Sequence, residues 1–286
     1  MIRKRILLSL AALAFLFSLA LVVYPLVATH LNDKYQSTVQ AEYTRELAAV
    51  DDDTLLAAKD AAQTYNESLL PIRYDREALD AAAVDYDSLL DLTCSGIMGY
   101  LEIPKIDVSL PIYHGTEESV LQKGVGHLIG SSLPIGGNGY HSVLTGHSGV
   151  AGKRLFSDLE QLTRGDHFYI HILGETLAYE VTELNTVLPH ETELLVAIPG
   201  EDLCTLVTCT PYGVNSHRLL AKGSRIPFET LEKSTEPESQ SQPRHSAWKQ
   251  NYLLGLLIGC GGAAGAVAIG LLISHILRKR RKRHEA

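Results

Sequence analysis

Cys209 closes an apolar, β-branched run, Thr205-Leu-Val-Thr-Cys209, and a guanidinium, Arg218, follows nine residues later. Thr205, Val207 and Cys209 alternate with Leu206 and Thr208, the two-residue period of a strand with one buried face. Pro211 and Gly213 then end the strand and turn the chain. If the chain returns antiparallel through His217-Arg218-Leu219-Leu220, Arg218 lies beside the sulfur. Upstream, His141-Ser-Val-Leu-Thr-Gly-His147-Ser-Gly reads as an apolar strand ending in a glycine-flanked histidine. Thiol, imidazole and guanidinium together suit acyl transfer. An ordinary thiol, with a pKa of about 8.5, is a minority thiolate at neutral pH. A cationic neighbour favours the thiolate, and residue types alone do not say whether His147 or Arg218 supplies that charge. Arg218 stays charged at every relevant pH, so it cannot shuttle a proton, but its fork can hold a carbonyl or an oxyanion. Each residue also has a plainer reading: a buried structural thiol, a turn-capping histidine and a surface ion-pair partner.

The elements that must position these groups begin near Ile97, where the texture changes to short apolar runs divided by Pro and Gly. Seven runs read as strands: Met98–Ile103, Ser109–Ile112, Ser142–Thr145, Asp166–Leu173, Thr176–Val187, Leu203–Cys209 and His217–Lys222. A short helix is expected near Leu155–Leu162. Strands this short, with frequent turn signals, predict a closed or nearly closed antiparallel barrel. Residues 30–95 read as helical, with Tyr35, Val39, Tyr43 and Leu47 spaced i, i+4. Asp51-Asp-Asp53 offers a break and an N-cap, and Pro71 interrupts the pattern before a second Ala-rich stretch. Residues 229–250, rich in Ser, Gln, Glu and Pro, read as a linker.

Two segments do not belong to a soluble core. Residues 6–28 are apolar and follow Arg3-Lys4-Arg5, and residues 252–277 are apolar and precede Arg278-Lys-Arg-Arg-Lys-Arg283. Each exceeds the roughly 20 residues that cross a bilayer. The basic flanks predict both termini, including the tail 278–286, in the cytoplasm and a catalytic domain outside the cell membrane. A cleaved signal peptide is the alternative for the first span, although Val27-Ala28-Thr29 is a poor cleavage site. Gly255 and Gly259 give the second span a spacing that lets helices pack closely. Residues 29–250 carry 16 Lys/Arg against 32 Asp/Glu, a net charge of −16 that excludes nucleic acid and anionic lipid as partners. Of four cysteines, Cys260 falls in the second span, and a Cys94–Cys204 disulfide is chemically permitted outside the cell but not established. No Cys-x-x-Cys pair exists, and His167 and His171 share a strand face too far apart to chelate. No metal site and no cofactor are expected. His114, His127 and His217 are read as local hydrogen-bonding groups.

The Thr-Leu-Val-Thr-Cys signature, the arginine nine residues on and the upstream Thr-Gly-His all resemble the sortase transpeptidases of Gram-positive bacteria. Gly99-Tyr-Leu-Glu-Ile-Pro104, Leu110-Pro-Ile-Tyr-His-Gly115 and Thr208-Cys-Thr-Pro-Tyr212 resemble the pilus-assembling class C branch, and the resemblance runs from about Ile97 to Ile226. It implies a mainly β fold, an eight-stranded sortase-like barrel over 97–228, with N-terminal helices and a transmembrane helix at each end. It also implies Cys209 as nucleophile, His147 as general acid/base and Arg218 as the stabiliser of substrate or oxyanion. The implied partners are pilin or surface-protein substrates with LPXTG-like sorting signals, and the acceptor is a pilin lysine amine. Anchoring to the peptidoglycan precursor, simple proteolysis and a non-catalytic surface module stand as alternatives. Class C relatives carry a flap with an Asp-Pro-aromatic lid ahead of the barrel. The equivalent position here is near Ile72-Arg-Tyr74, where the Asp-Pro pair is absent, so Tyr74 and Asp75 are the candidate lid residues.

Overall fold

The computed structural model describes residues 2–70, 86–150 and 152–228, together with 255, 258 and 259. The chain divides into two units, residues 1–244 and 245–286. In the second, Gly255, Ile258 and Gly259 are helical; the rest of the expected second span, with Cys260, lies outside the described residues.

The first helix, α1 (Ile2–Leu47), is longer than the sequence suggests, running unbroken through Pro25 from the apolar segment into the polar one. Its stretch Leu16–Leu47 is long and apolar enough to cross a membrane, with a mean hydropathy of 1.3 in its best window. The C-terminal half lies on the barrel. Tyr43 Oη donates to the Met98 carbonyl at 2.9 Å, and its ring meets Tyr100 edge-on at 5.3 Å. Val39, Tyr43 and Leu47 face the barrel as their spacing predicts, but Tyr35 is exposed. Gln36 and Gln40 take that end of the contact, bonding the Lys123 carbonyl and the Ser109 hydroxyl. A helix stripe drifts around its axis with distance, so i, i+4 spacing does not hold one face indefinitely.

Asp51 caps the second helix, α2 (Asp52–Leu69), its carboxylate accepting from Thr54 N at 2.9 Å. Ala62, Tyr65, Asn66 and Leu69 form its buried stripe. The helix ends just before Pro71. Residues 71–85, which include Tyr74 and Asp75, lie outside the described residues.

Eight strands close a barrel: β1 (Ile97–Ile103), β2 (Val108–His114), β3 (Val125–His127), β4 (Tyr140–Thr145), β5 (His167–Ile172), β6 (Glu175–Val187), β7 (Asp202–Thr210) and β8 (His217–Ile226). Around the barrel the order is β1-β2-β3-β4-β7-β8-β6-β5. The all-antiparallel expectation is corrected, because β2–β3 and β4–β7 are parallel pairs. The chain reaches β7 only after the β5–β6 hairpin, so β7 arrives from the same end as β4. The hairpin itself turns at Leu173 and Gly174, both at positive φ, as a two-residue connection of this twist requires. Instead of a helix at Leu155–Leu162 there are turns and a 3₁₀ segment, Leu159–Gln161. A four-residue helix, α3 (Glu118–Leu121), joins β2 to β3.

Strand alternation sorts the side chains. Leu144, Leu206 and Ala221 point into the barrel with Phe168, Ile170 and Tyr179. Val143, Val207 and Leu220 form a separate cluster on the outer face, covered by Leu128, Val187 and Leu195. Gly223 makes room for the stacked Phe168–Tyr179 pair, since a Cβ there would lie 2.5 Å from the Phe168 ring.

Candidate active site

The register of three neighbouring strands gathers the groups that the sequence singles out. Cys209 stands opposite Arg218 in the antiparallel β7–β8 ladder. In the parallel β4–β7 ladder Thr145 partners Val207, and Gly146 N still donates to the Val207 carbonyl at 3.0 Å. His147 therefore leaves β4 level with Cys209. Period two puts Cys209 on the face of Val207 and Thr205, and Arg218 on the face of Leu220. Thiol, imidazole and guanidinium thus crown the outer apolar cluster rather than the barrel interior.

Local bonds hold the strand ends in this register. Ser148 Oγ donates to the Cys209 carbonyl at 2.7 Å, and Thr208 Oγ1 donates to the Gly146 carbonyl at 2.7 Å. Phe156 N donates to the His147 carbonyl, and the Phe156 ring packs against Gly146, where a Cβ would come within 2.7 Å of it. The Tyr212 ring packs 3.3 Å from where a Gly149 Cβ would sit, joining the loop after Cys209 to the loop after His147. Cys209 and Arg218 are half-buried on the outer face of the sheet. Arg218 Nη1 donates to the carbonyls of Asn215, at 3.2 Å, and His217, at 3.0 Å. His147 Nε2 lies 3.0 Å from Glu118 Oε2, and Gln122 with His147 holds that carboxyl below the usual carboxylate range.

Below the thiol, on the same face, a cleft of about 340 Å³ opens between the end of α2, the β3–β4 connection and the β6–β7 loop. Leu128, Val143 and Leu195 line it with His141, whose Nε2 meets Thr205 Oγ1 at 2.7 Å and whose Nδ1 meets the Val196 carbonyl at 3.1 Å. Burial pushes the His141 pKa down. The neutral ring then donates from Nδ1 to Val196 and accepts at Nε2 from Thr205, pinning the β6–β7 loop to the sheet.

The remaining titratable candidates sit elsewhere. His114 bonds the Leu89 carbonyl, and His217 bonds Ser216, as local hydrogen bonding predicts. His167 and His171 face Glu180 and Glu102 on adjacent strands. Among the described residues no cluster of three or more His, Cys, Asp or Glu could hold a metal ion. Cys94 is exposed and Cys204 is buried in the barrel, and both are free thiols. Ser148, Thr208 and Glu118 are site residues that the sequence reading does not single out. The first two lie within the motifs, but Glu118 lies 29 residues before His147 on a helix too short to show a period.

Residues 101–226 match the model of the Sortase domain. The chain is similar to the crystal structure of sortase C1 from Streptococcus agalactiae, with 44% identity and a TM-score of 0.63 over 66% of this chain and 98% of that one. It is similar also to sortase C-1 from Actinomyces oris, with 48% identity and a TM-score of 0.56 over 62% of this chain and 99% of that one. Among curated relatives, sortase A of S. agalactiae is 34% identical over 40% of this chain, and the match spans 47% of that relative's own length. A barrel of this order and near-complete coverage of two sortase C structures at more than 40% identity converge: the chain belongs to the sortase family, on its class C branch.

Proposed function

We propose that the protein is a membrane-anchored cysteine transpeptidase that joins pilin subunits, with residues 97–228 as its catalytic barrel. Cys209 attacks the threonine carbonyl of an LPXTG-like sorting signal, the Thr–Gly amide breaks, and a thioester to Cys209 forms. His147 gives its proton to the departing glycine amine, and Arg218 holds the oxyanion of the tetrahedral intermediate. A lysine amine of another pilin then attacks the thioester, His147 takes up its proton, and the Cys209 thiolate leaves as an isopeptide bond forms.

The observation that carries the reading is the register that brings Cys209, His147 and Arg218 level at the ends of three adjacent strands, on the face where an outward cleft opens. An extended peptide lying along that face would run past the cleft lined by Leu128 and Leu195, which cover Val143, and put its scissile bond at the thiol. The solved sortase C of S. pneumoniae is described with pilin substrate specificity, and one of Group B Streptococcus as pilus-related. Both support a pilin acceptor for this chain.

The topology in this reading has two spans. α1 carries the first and residues 252–277 the second, with the basic flanks in the cytoplasm and the segment between them outside. The helices before the barrel, α1 and α2, stand it off the bilayer. Incubating the purified segment 29–250 with a pilin should give a covalent ladder on a denaturing gel, and Cys209→Ala should abolish both the ladder and sorting-peptide cleavage. Cleavage surviving in C209A would end the proposal; a single product joined to a cell-wall amine would move it to peptidoglycan anchoring.

A further inference from the structure

The order of strands sets two groups on opposite sides of His147. β4, which leads into it, lies between β7, which carries Cys209, and β3, which follows shortly after α3 and Glu118. Glu118 Oε2 meets His147 Nε2 at 3.0 Å, while Glu118 Oε1 accepts from the Gln122 amide at 2.7 Å. The short helix that carries both is itself fixed. Leu121 is buried under it, Gln36 of α1 donates to the Lys123 carbonyl, and Lys153 from the loop after His147 donates to the Gln122 carbonyl. The carboxylate is therefore tied to the same loop whose histidine it contacts.

An ionised carboxylate can only accept hydrogen bonds. Gln122 and His147 both favour the ionised form of Glu118, so His147 Nε2 must carry a proton in the neutral ring as well as in the imidazolium. The nitrogen left to gain and lose a proton is Nδ1. We propose that Glu118 is a positioning residue for transpeptidation, holding His147 by Nε2 so that the ring exchanges its proton with the departing and arriving amines at Nδ1. The inference rests on the acyl-transfer reading of Cys209, His147 and Arg218, and adds to it which ring atom works and what fixes it.

Glu118 is 71% exposed at its side chain, so its contribution is limited to that of a solvated pair. Glu118→Ala should lower kcat for sorting-peptide transfer about fivefold, the upper range for exposed ion pairs, and leave KM and the thermal midpoint as they are. The ring nitrogens of 15N-labelled His147 give a readout that a merely structural role would not move. In the neutral wild-type enzyme Nε2 should be the protonated nitrogen, and in E118A the two signals should shift towards each other as the tautomers mix. A wild-type ring protonated at Nδ1 and bare at Nε2, or unchanged kcat in E118A, would overturn the proposal. So would a loss confined to KM or to stability. The parent reading fails separately, when the wild-type enzyme transfers no sorting peptide, and the nitrogen signals decide the role of Glu118 in either case.

Discussion

Cys209 and Arg218 stand directly opposite each other across the β7–β8 ladder, with only the loop 211–216 between their strands. Opposed residues on one face of an antiparallel pair have Cβ atoms about 4.5–5.5 Å apart, so the guanidinium reaches the sulfur's surroundings without bending the backbone. One arm of its fork is spent on the Asn215 and His217 carbonyls, which orients the plane. A lysine ammonium keeps the charge and loses that plane. Arg218→Lys should therefore lower the acylation rate on the order of 10²–10³-fold, as loss of an oxyanion donor does. Pre-steady-state thioester formation measures it, and a near wild-type rate in R218K would reduce Arg218 to a source of positive charge.

Gly146 is the last residue before His147, and its α-carbon is covered by the Phe156 ring. Because Phe156 is buried and a methyl there would lie 2.7 Å from the ring, Gly146→Ala must move the ring or the strand end. Either displaces the imidazole, since Phe156 N also bonds the His147 carbonyl. We expect kcat/KM to fall about 100-fold in G146A, the scale of loss for a 1 Å misplacement of a catalytic group. Pairing it with Phe156→Leu should recover part of the activity by making room. A double variant no better than G146A would show that the clash is not the cause.

The site was more legible in the sequence than the barrel that carries it. Cys209 and Arg218 lie at the two ends of one hairpin, where period two and a Pro/Gly turn are enough to predict opposition. His147 is reached through β4, whose parallel pairing with β7 depends on the β5–β6 hairpin intervening, and no local pattern encodes that. Strand β3 escaped because Val125-Gly-His127 is three residues with a glycine at its centre, too short for any period to register. Glu118 escaped for the same reason, as four helical residues give no stripe. On α1, the partners at positions 36, buried, and 40, half-buried, are glutamines, which hydropathy assigns to solvent. Their amides reach the Lys123 carbonyl and the Ser109 hydroxyl instead.

Asn66 clasps α2 to the barrel by both ends of its amide. Its Nδ2 donates to the Leu133 carbonyl at 3.2 Å and its Oδ1 accepts from Leu133 N at 2.7 Å, with the side chain fully buried. Replacing it by leucine leaves a backbone donor and an acceptor without partners in an apolar setting. Each orphan costs about 1–3 kcal/mol. Asn66→Leu should lower the unfolding free energy by several kcal/mol in denaturant titration, despite the added apolar volume. Hydrogen exchange should show α2 opening before the barrel. A stability equal to wild type would mean that water replaces the amide at Leu133.

His127 gives the fold an acid limit. It is fully buried on β3, with Nδ1 at 2.7 Å from Tyr86 Oη and Nε2 at 2.8 Å from the Ser132 carbonyl. Burial is the main cause that pushes its pKa down to about 4, and the nearby His114 adds to it. The neutral ring fits the site: Nε2–H donates to Ser132 and Nδ1 accepts from Tyr86, whose own ionisation burial suppresses. In the unfolded chain the ring titrates near 6.5. Between about pH 6.5 and 4 the unfolded chain therefore binds a proton that the folded one refuses, and stability falls as the pH falls through that window. Complete titration across it amounts to on the order of 3–4 kcal/mol. His127→Gln should start less stable at pH 7, because the amide cannot match both contacts, and should lose less on acidification. Thermal midpoints of both proteins from pH 7 to pH 4 test this. Parallel declines in the two would assign the acid limit to other groups, the buried His141 first among them.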